Sequence, residues 1–138
     1  MSRTHKYADS HFSITTRLSA DRFAEITKTV GDNTKTIGVG AVRFEGADRG
    51  RTNFSVRSMA GFYELITFHV AITDTPTGAN GRSCIDTYKT TQQSYMFIPL
   101  SPKTMNGYSV YRKFMNEVRA AILAEDPQAQ VVIAERGA

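Results

Sequence analysis

Two hydrophobic periods divide the chain. In "HFSITTRL", His11 to Leu18, the residues Phe12, Ile14, Thr16 and Leu18 alternate with His11, Ser13, Thr15 and Arg17. Period two is the mark of a half-buried strand. "SADRFAEITKTV" changes the period. Ser19 suits an N-cap, Asp21 sits where the helix dipole favours an anion, and Phe23, Ile26 and Val30 follow at helical spacing. Gly31 is expected to stop this helix. Thr36 to Glu45 reads as a strand bent at Gly38 and Gly40, and Gly46 to Gly50 as a turn. Arg51 to Ser58 alternates again, and Phe62 to Thr73 is the longest strand. "DTPTGANGR" reads as a polar turn, and Ser83 to about Gln93 as a polar strand that "YMFIPL" continues or pairs with.

The last long element starts at Thr104 or Asn106 and runs to Ala124, before Asp126–Pro127. Val110, Phe114, Val118 and Ala121 form one apolar row, and Tyr111, Met115 and Ile122 form the next. Together they make a stripe wider than one groove requires. "VVIAE" is a short final strand or an ordered tail. Short hairpin-type connections argue for antiparallel pairing. The predicted class is α+β: a curved antiparallel β-sheet gripping a long C-terminal α-helix, with a short helix after the first strand. One domain is expected over 1–138, with its core at about 11–124 and short tails on either side.

That arrangement leaves room for a pocket between sheet and helix. "HFSITTRLSADRFAEITK", together with the proline-bounded strand and the long amphipathic helix, resembles the START/Bet v 1-like superfamily (SRPBCC, polyketide cyclase/dehydrase-like). The resemblance implies the helix-grip fold and binding of a hydrophobic or amphipathic small molecule, with cyclases or dehydratases among the members. The chain departs from that pattern in lacking one of seven strands and a second small helix, which shrinks to "GDNTK". Residues expected to line the pocket are Phe54, Val56, Phe68, Tyr88, Tyr111, Phe114, Met115 and Val118.

Chemistry is sparse. Glu64 shares the alternating face of Phe62, Ile66, Phe68, Val70 and Ile72, so an inward carboxylate would have a raised pKa and could serve as acid or base. The plainer reading puts Glu64 at the strand end, in water. If Ile72 pairs with Cys84, then Val70 faces Asp86, Phe68 faces Tyr88, and Asp86 joins Glu64; a one-residue slip sends Asp86 outward. Glu64 and Asp86 are the candidate acid/base pair of an enzyme on the same scaffold. His69 reads as a surface histidine and Cys84 as a small buried hydrophobe rather than a nucleophile. No HxH or HExxH motif occurs, so no metal site is expected. Gly38-Val39-Gly40 lacks the third glycine and the helix of a dinucleotide loop, so no cofactor is expected.

Composition narrows the classes further. A single cysteine excludes a disulfide within the chain and suits a reducing, cytoplasmic compartment. The opening residues lack an apolar h-region, so no secretory leader is expected, and no run of about 18 apolar residues would span a membrane. Net charge is +4, from 17 basic and 13 acidic residues. The basic residues are scattered, which argues against nucleic acid. A nucleic-acid or protein interaction module would instead use Tyr88, Tyr95, Phe97, Tyr108 and Tyr111 beside Arg112 and Lys113. "TTQQSYMFIPL" is β-prone and nearly uncharged, so as an edge strand it would pair with a second copy in a homodimer.

Overall fold

The computed structural model describes residues 5–61, 63–91, 94–96, 98–99 and 104–135. In chain order the elements are β1 (His11–Thr16), α1 (Ala20–Asn33), β2 (Lys35–Thr36), β3 (Gly40–Asp48), β4 (Arg51–Ser58), β5 (Glu64–Thr75), β6 (Gly78–Tyr88), β7 (Thr90–Thr91), β8 (Ser94–Tyr95), β9 (Ile98–Pro99), β10 (Thr104–Met105), α2 (Tyr108–Glu125) and β11 (Gln130–Ala134). Seven strands form a strongly curled antiparallel half-barrel in the order β11-β1-β6-β5-β4-β3-β2. The class is α+β, with a short helix after the first strand and a long helix after the sheet.

Helix α1 begins as its sequence dictates: Ser19 Oγ accepts from the Arg22 amide at 3.1 Å. Its end differs from expectation. Gly31 lies inside the helix, which continues to Asn33. What Gly31 provides is a close approach, since a Cβ there would stand 2.7 Å from Phe54 Cε1. On β6, Gly81 likewise admits the Phe23 ring, whose Cζ would lie 2.3 Å from an added Cβ. These two glycines set how closely α1 lies on the sheet. The expected turn "DTPTGANGR" is shorter than read: β5 runs to Thr75 and β6 starts at Gly78.

The wide apolar stripe of α2 has two partners. The curled sheet and α1 both pack on it, and Val110, Tyr111, Phe114, Met115, Val118 and Ile122 are fully buried. Phe54 stacks on Phe68 at 5.2 Å, and Phe114 sits 5.1 and 5.0 Å from those two rings. The Phe68 ring meets Tyr111 edge-on at 4.9 Å. The Tyr111 hydroxyl is satisfied within this core: it donates to Ser10 O at 2.9 Å, and Ser83 Oγ lies 2.8 Å away. Ser83 Oγ accepts in turn from the Phe12 amide at 2.9 Å. A buried hydroxyl without such partners would be costly.

The "VVIAE" segment resolves as β11, which pairs with β1 and supplies the seventh strand. The segment read as a dimerising edge, Thr90 to Leu100, gives no strand to the main sheet among the described residues. Its β7 pairs with β10 and its β8 with β9; Gln92, Gln93, Phe97 and Leu100 lie outside the described residues, as does Phe62.

Candidate functional site

Two β-bulges decide where the candidate residues point. On β5, Val56 pairs with Ile66 but Arg57 pairs with Glu64, so Leu65 is an extra residue. Glu64 therefore leaves the inner face and meets Arg57, with 3.5 Å between Oε2 and the guanidinium. Its side chain is 44% exposed, which is the strand-end reading and not an inward acid. Leu65, which simple alternation would place on the face opposite Ile66, packs beside Gly107 on the helix side. On β6, Thr67 pairs with Thr87 but Phe68 pairs with Ile85, so Asp86 is the extra residue. The pairing of Ile72 is with Gly81 rather than Cys84. Asp86 accordingly lies on the outer face, where it meets His69.

Cys84 and His69 exchange the environments expected of them. Cys84 is exposed, while His69 is only 8% exposed. Partial desolvation, and then the Asp86 carboxylate, push the Cys84 thiol above its ordinary value, which keeps it protonated and a poor nucleophile.

Of the eight residues expected to line a pocket, Phe54, Val56, Phe68, Tyr111, Phe114, Met115 and Val118 form the close-packed core, and Tyr88 packs at its margin. Open space lies elsewhere, at the end of the sheet where α2 begins. There an open cleft of about 790 Å³ is bounded by His5, Lys6 and Tyr7, the β2–β3 turn at Gly38 and Val39, Ser58, Leu65, Thr104 to Ser109, and Arg112. Gly107 makes this geometry accessible. Its φ is +80°, and a Cβ would stand 3.0 Å from Val56 and 3.2 Å from Leu65. Being the N-cap of α2, it brings no side chain to the first-turn amides.

The cleft joins an apolar wall to a basic corner. Val39, Leu65 and Met105 lie on one side, and Tyr7 and Tyr108 stack at 4.2 Å on the other. The Arg112 guanidinium lies 5.0 Å from the Tyr108 ring centre and 5.9 Å from that of Tyr7, and it ion-pairs with Glu135. Tyr108 donates to Glu135 at 3.0 Å and meets Ser10 Oγ at 2.7 Å. Burial is the main cause pushing the Tyr108 phenol up to about 12, so it stays a neutral donor. Among the described residues no carboxylate lines the cleft. Sequence reasoning missed this site because its walls come from six separate segments; the available signals were Gly107 ahead of the helix and the aromatic–basic pairing of Tyr108 with Arg112.

The chain matches no protein-family model, no curated protein and no solved structure. Among the described residues no helix is long and apolar enough to cross a membrane.

Proposed function

We propose that the protein binds an amphipathic small molecule with an anionic end in the cleft at the start of α2. The observation that carries this reading is the pairing, in one cleft, of an apolar wall with a corner where Lys6 and Arg112 outnumber the one carboxylate behind them, Glu135. A volume of about 790 Å³ falls within the range of small-molecule sites. The ligand's apolar part would lie on Val39, Leu65 and Met105. Its anionic end would face Lys6, Arg112 and the positive end of the α2 dipole. A curled sheet with a helix is compatible with the ligand-binding helix-grip fold that the START/Bet v 1-like resemblance implies. Neither Glu64 nor Asp86 lines the cleft, so neither candidate acid/base residue reaches it. Tyr111 is fully buried and Tyr108 nearly so, which leaves them unable to stack on bases.

Ser109 lines the cleft from an exposed position on α2. Ser109→Trp should fill the space without disturbing the core. With 1-anilinonaphthalene-8-sulfonate as an anionic fluorescent ligand, this variant should weaken binding at least about tenfold, or about 1.4 kcal/mol. Arg112→Ala should weaken the sulfonate more than an uncharged naphthalene. Unchanged affinity in a Ser109→Trp protein with native circular dichroism would sink the proposal. Native mass spectrometry with solvent extraction would then identify any ligand carried from the cell.

A further inference from the structure

The outer face of the sheet holds a second arrangement, separate from the cleft. Strands β5 and β6 are central in the sheet, each paired on both sides. His69 on β5 is the direct cross-strand partner of Cys84 on β6. Cys84 and Asp86 are two residues apart, and the bulge leaves Asp86 with no cross-strand partner of its own. Its carboxylate turns to the His69 ring, with Nδ1 at 2.9 and 3.0 Å from the two oxygens. One donor atom from each of His69, Cys84 and Asp86 lies within 4.8 Å of the other two.

From this geometry we infer a binding site for a divalent, borderline-soft transition-metal cation such as Zn²⁺, held by His69, Cys84 and Asp86. The donor types suit such an ion: thiolate and imidazole disfavour Mg²⁺ and Ca²⁺, and a nitrogen–sulfur–oxygen set suits zinc. The spacing is close to what is needed. Donors at 2.0–2.3 Å around a tetrahedral ion stand roughly 3.3–3.8 Å apart, so closure requires movement of about an ångström. Cys84 can supply it, because its side chain is exposed and its hydrogen bond to Ile85 O, at 3.6 Å, is weak. His69 and Asp86 are already together on adjacent strands, and donors on strands are better fixed than donors on loops.

The charge balance also favours binding. The Cys84 thiol releases its proton to solvent on coordination. Coordination through His69 Nδ1 takes the neutral ring in the tautomer with its proton on Nε2, so the hydrogen bond to Asp86 gives way to shared coordination of the cation. A thiolate, a carboxylate and a neutral imidazole then cancel a doubly charged ion. A net-neutral assembly is the form a half-buried site tolerates best. Three protein donors leave a fourth position open. An open depression of about 310 Å³, lined by Cys84, Asp9, His11 and Arg82 among others, adjoins the thiol and gives water access to that position.

Cobalt(II) reports this site directly. Titrating the untagged full chain with Co²⁺ should give a thiolate-to-cobalt charge-transfer band and strong visible d–d bands, saturating at equimolar metal and abolished by added Zn²⁺. Cys84→Ser, at an exposed position, should fold normally and lose the charge-transfer band. Asp86→Asn should weaken Co²⁺ at least about tenfold. Absence of the band at millimolar Co²⁺ would overturn the site. So would an unchanged affinity in Asp86→Asn, since a lone surface thiol would then account for the band.

Discussion

Asp126 ties the end of α2 to the turn after β1. Its Oδ2 accepts from Thr16 Oγ1 at 2.8 Å and from the Arg17 amide at 2.9 Å. Its Oδ1 accepts from the Gln128 amide at 3.2 Å. The Arg17 amide first, and then the Thr16 hydroxyl, hold the carboxyl below its ordinary value. A depressed folded-state pKa contributes stability that is present above the unfolded value, roughly pH 4, and is lost as pH falls through the folded one. Asp126→Asn should therefore be less stable at neutral pH, with a shallower loss on acidification, and the two proteins should converge in strong acid. Urea unfolding at several pH values measures this. Parallel curves for the two proteins would show that Asp126 is not the linked group. The sequence shows Asp126 only as a helix stop before Pro127. Its long-range role depends on β1 returning to the same end of the molecule, which no local pattern encodes.

At the scale of elements, α1 reaches the sheet through a ring laid over a bare backbone. Phe23 occupies the space above Gly81, so Gly81→Ala puts a methyl group into the ring. Overpacking of this kind destabilises by about 1–3 kcal/mol. The thermal midpoint should fall, and a compensating Phe23→Leu should recover part of the loss. No recovery would mean the damage arises in the β6 backbone. Elements with clean alternation, β1 and β4, were legible in advance, and so was the Ser19-capped helix. The inner faces of β5 and β6 were less so. Bulges at Leu65 and Asp86 each shift the period by one residue, which sends Glu64 outward, Leu65 to the helix side and Asp86 to His69. Such bulges have no signature in apolar–polar order. The width of the apolar stripe of α2 is plain in the sequence, in its two adjacent apolar rows. Its width answers to two packing partners, the curled sheet and α1, and the residues assigned to a pocket wall serve that packing.

On the scale of the whole molecule, the chain closes its sheet with its own C-terminal strand. Beyond α2, β11 returns to pair along the edge of β1 from His11 to Thr15. Val131 and Ile133 pack against the core, and Glu135 receives both Arg112 and Tyr108 beside the cleft. The last strand thus covers a sheet edge and braces the start of α2. An uncovered β1 would present unpaired backbone groups to other chains. Ending the chain at Ala129 should lower the thermal midpoint by about 5 °C or more and move part of the protein into larger species on size exclusion. It should also weaken the anionic fluorescent ligand, because Arg112 and Tyr108 lose the group that orients them. A truncated protein with the midpoint and elution volume of the full chain would show that β11 only decorates the edge. A lower midpoint with undiminished ligand affinity would confine the strand's role to stability, and would leave Arg112 positioned by the Tyr7–Tyr108 stack alone.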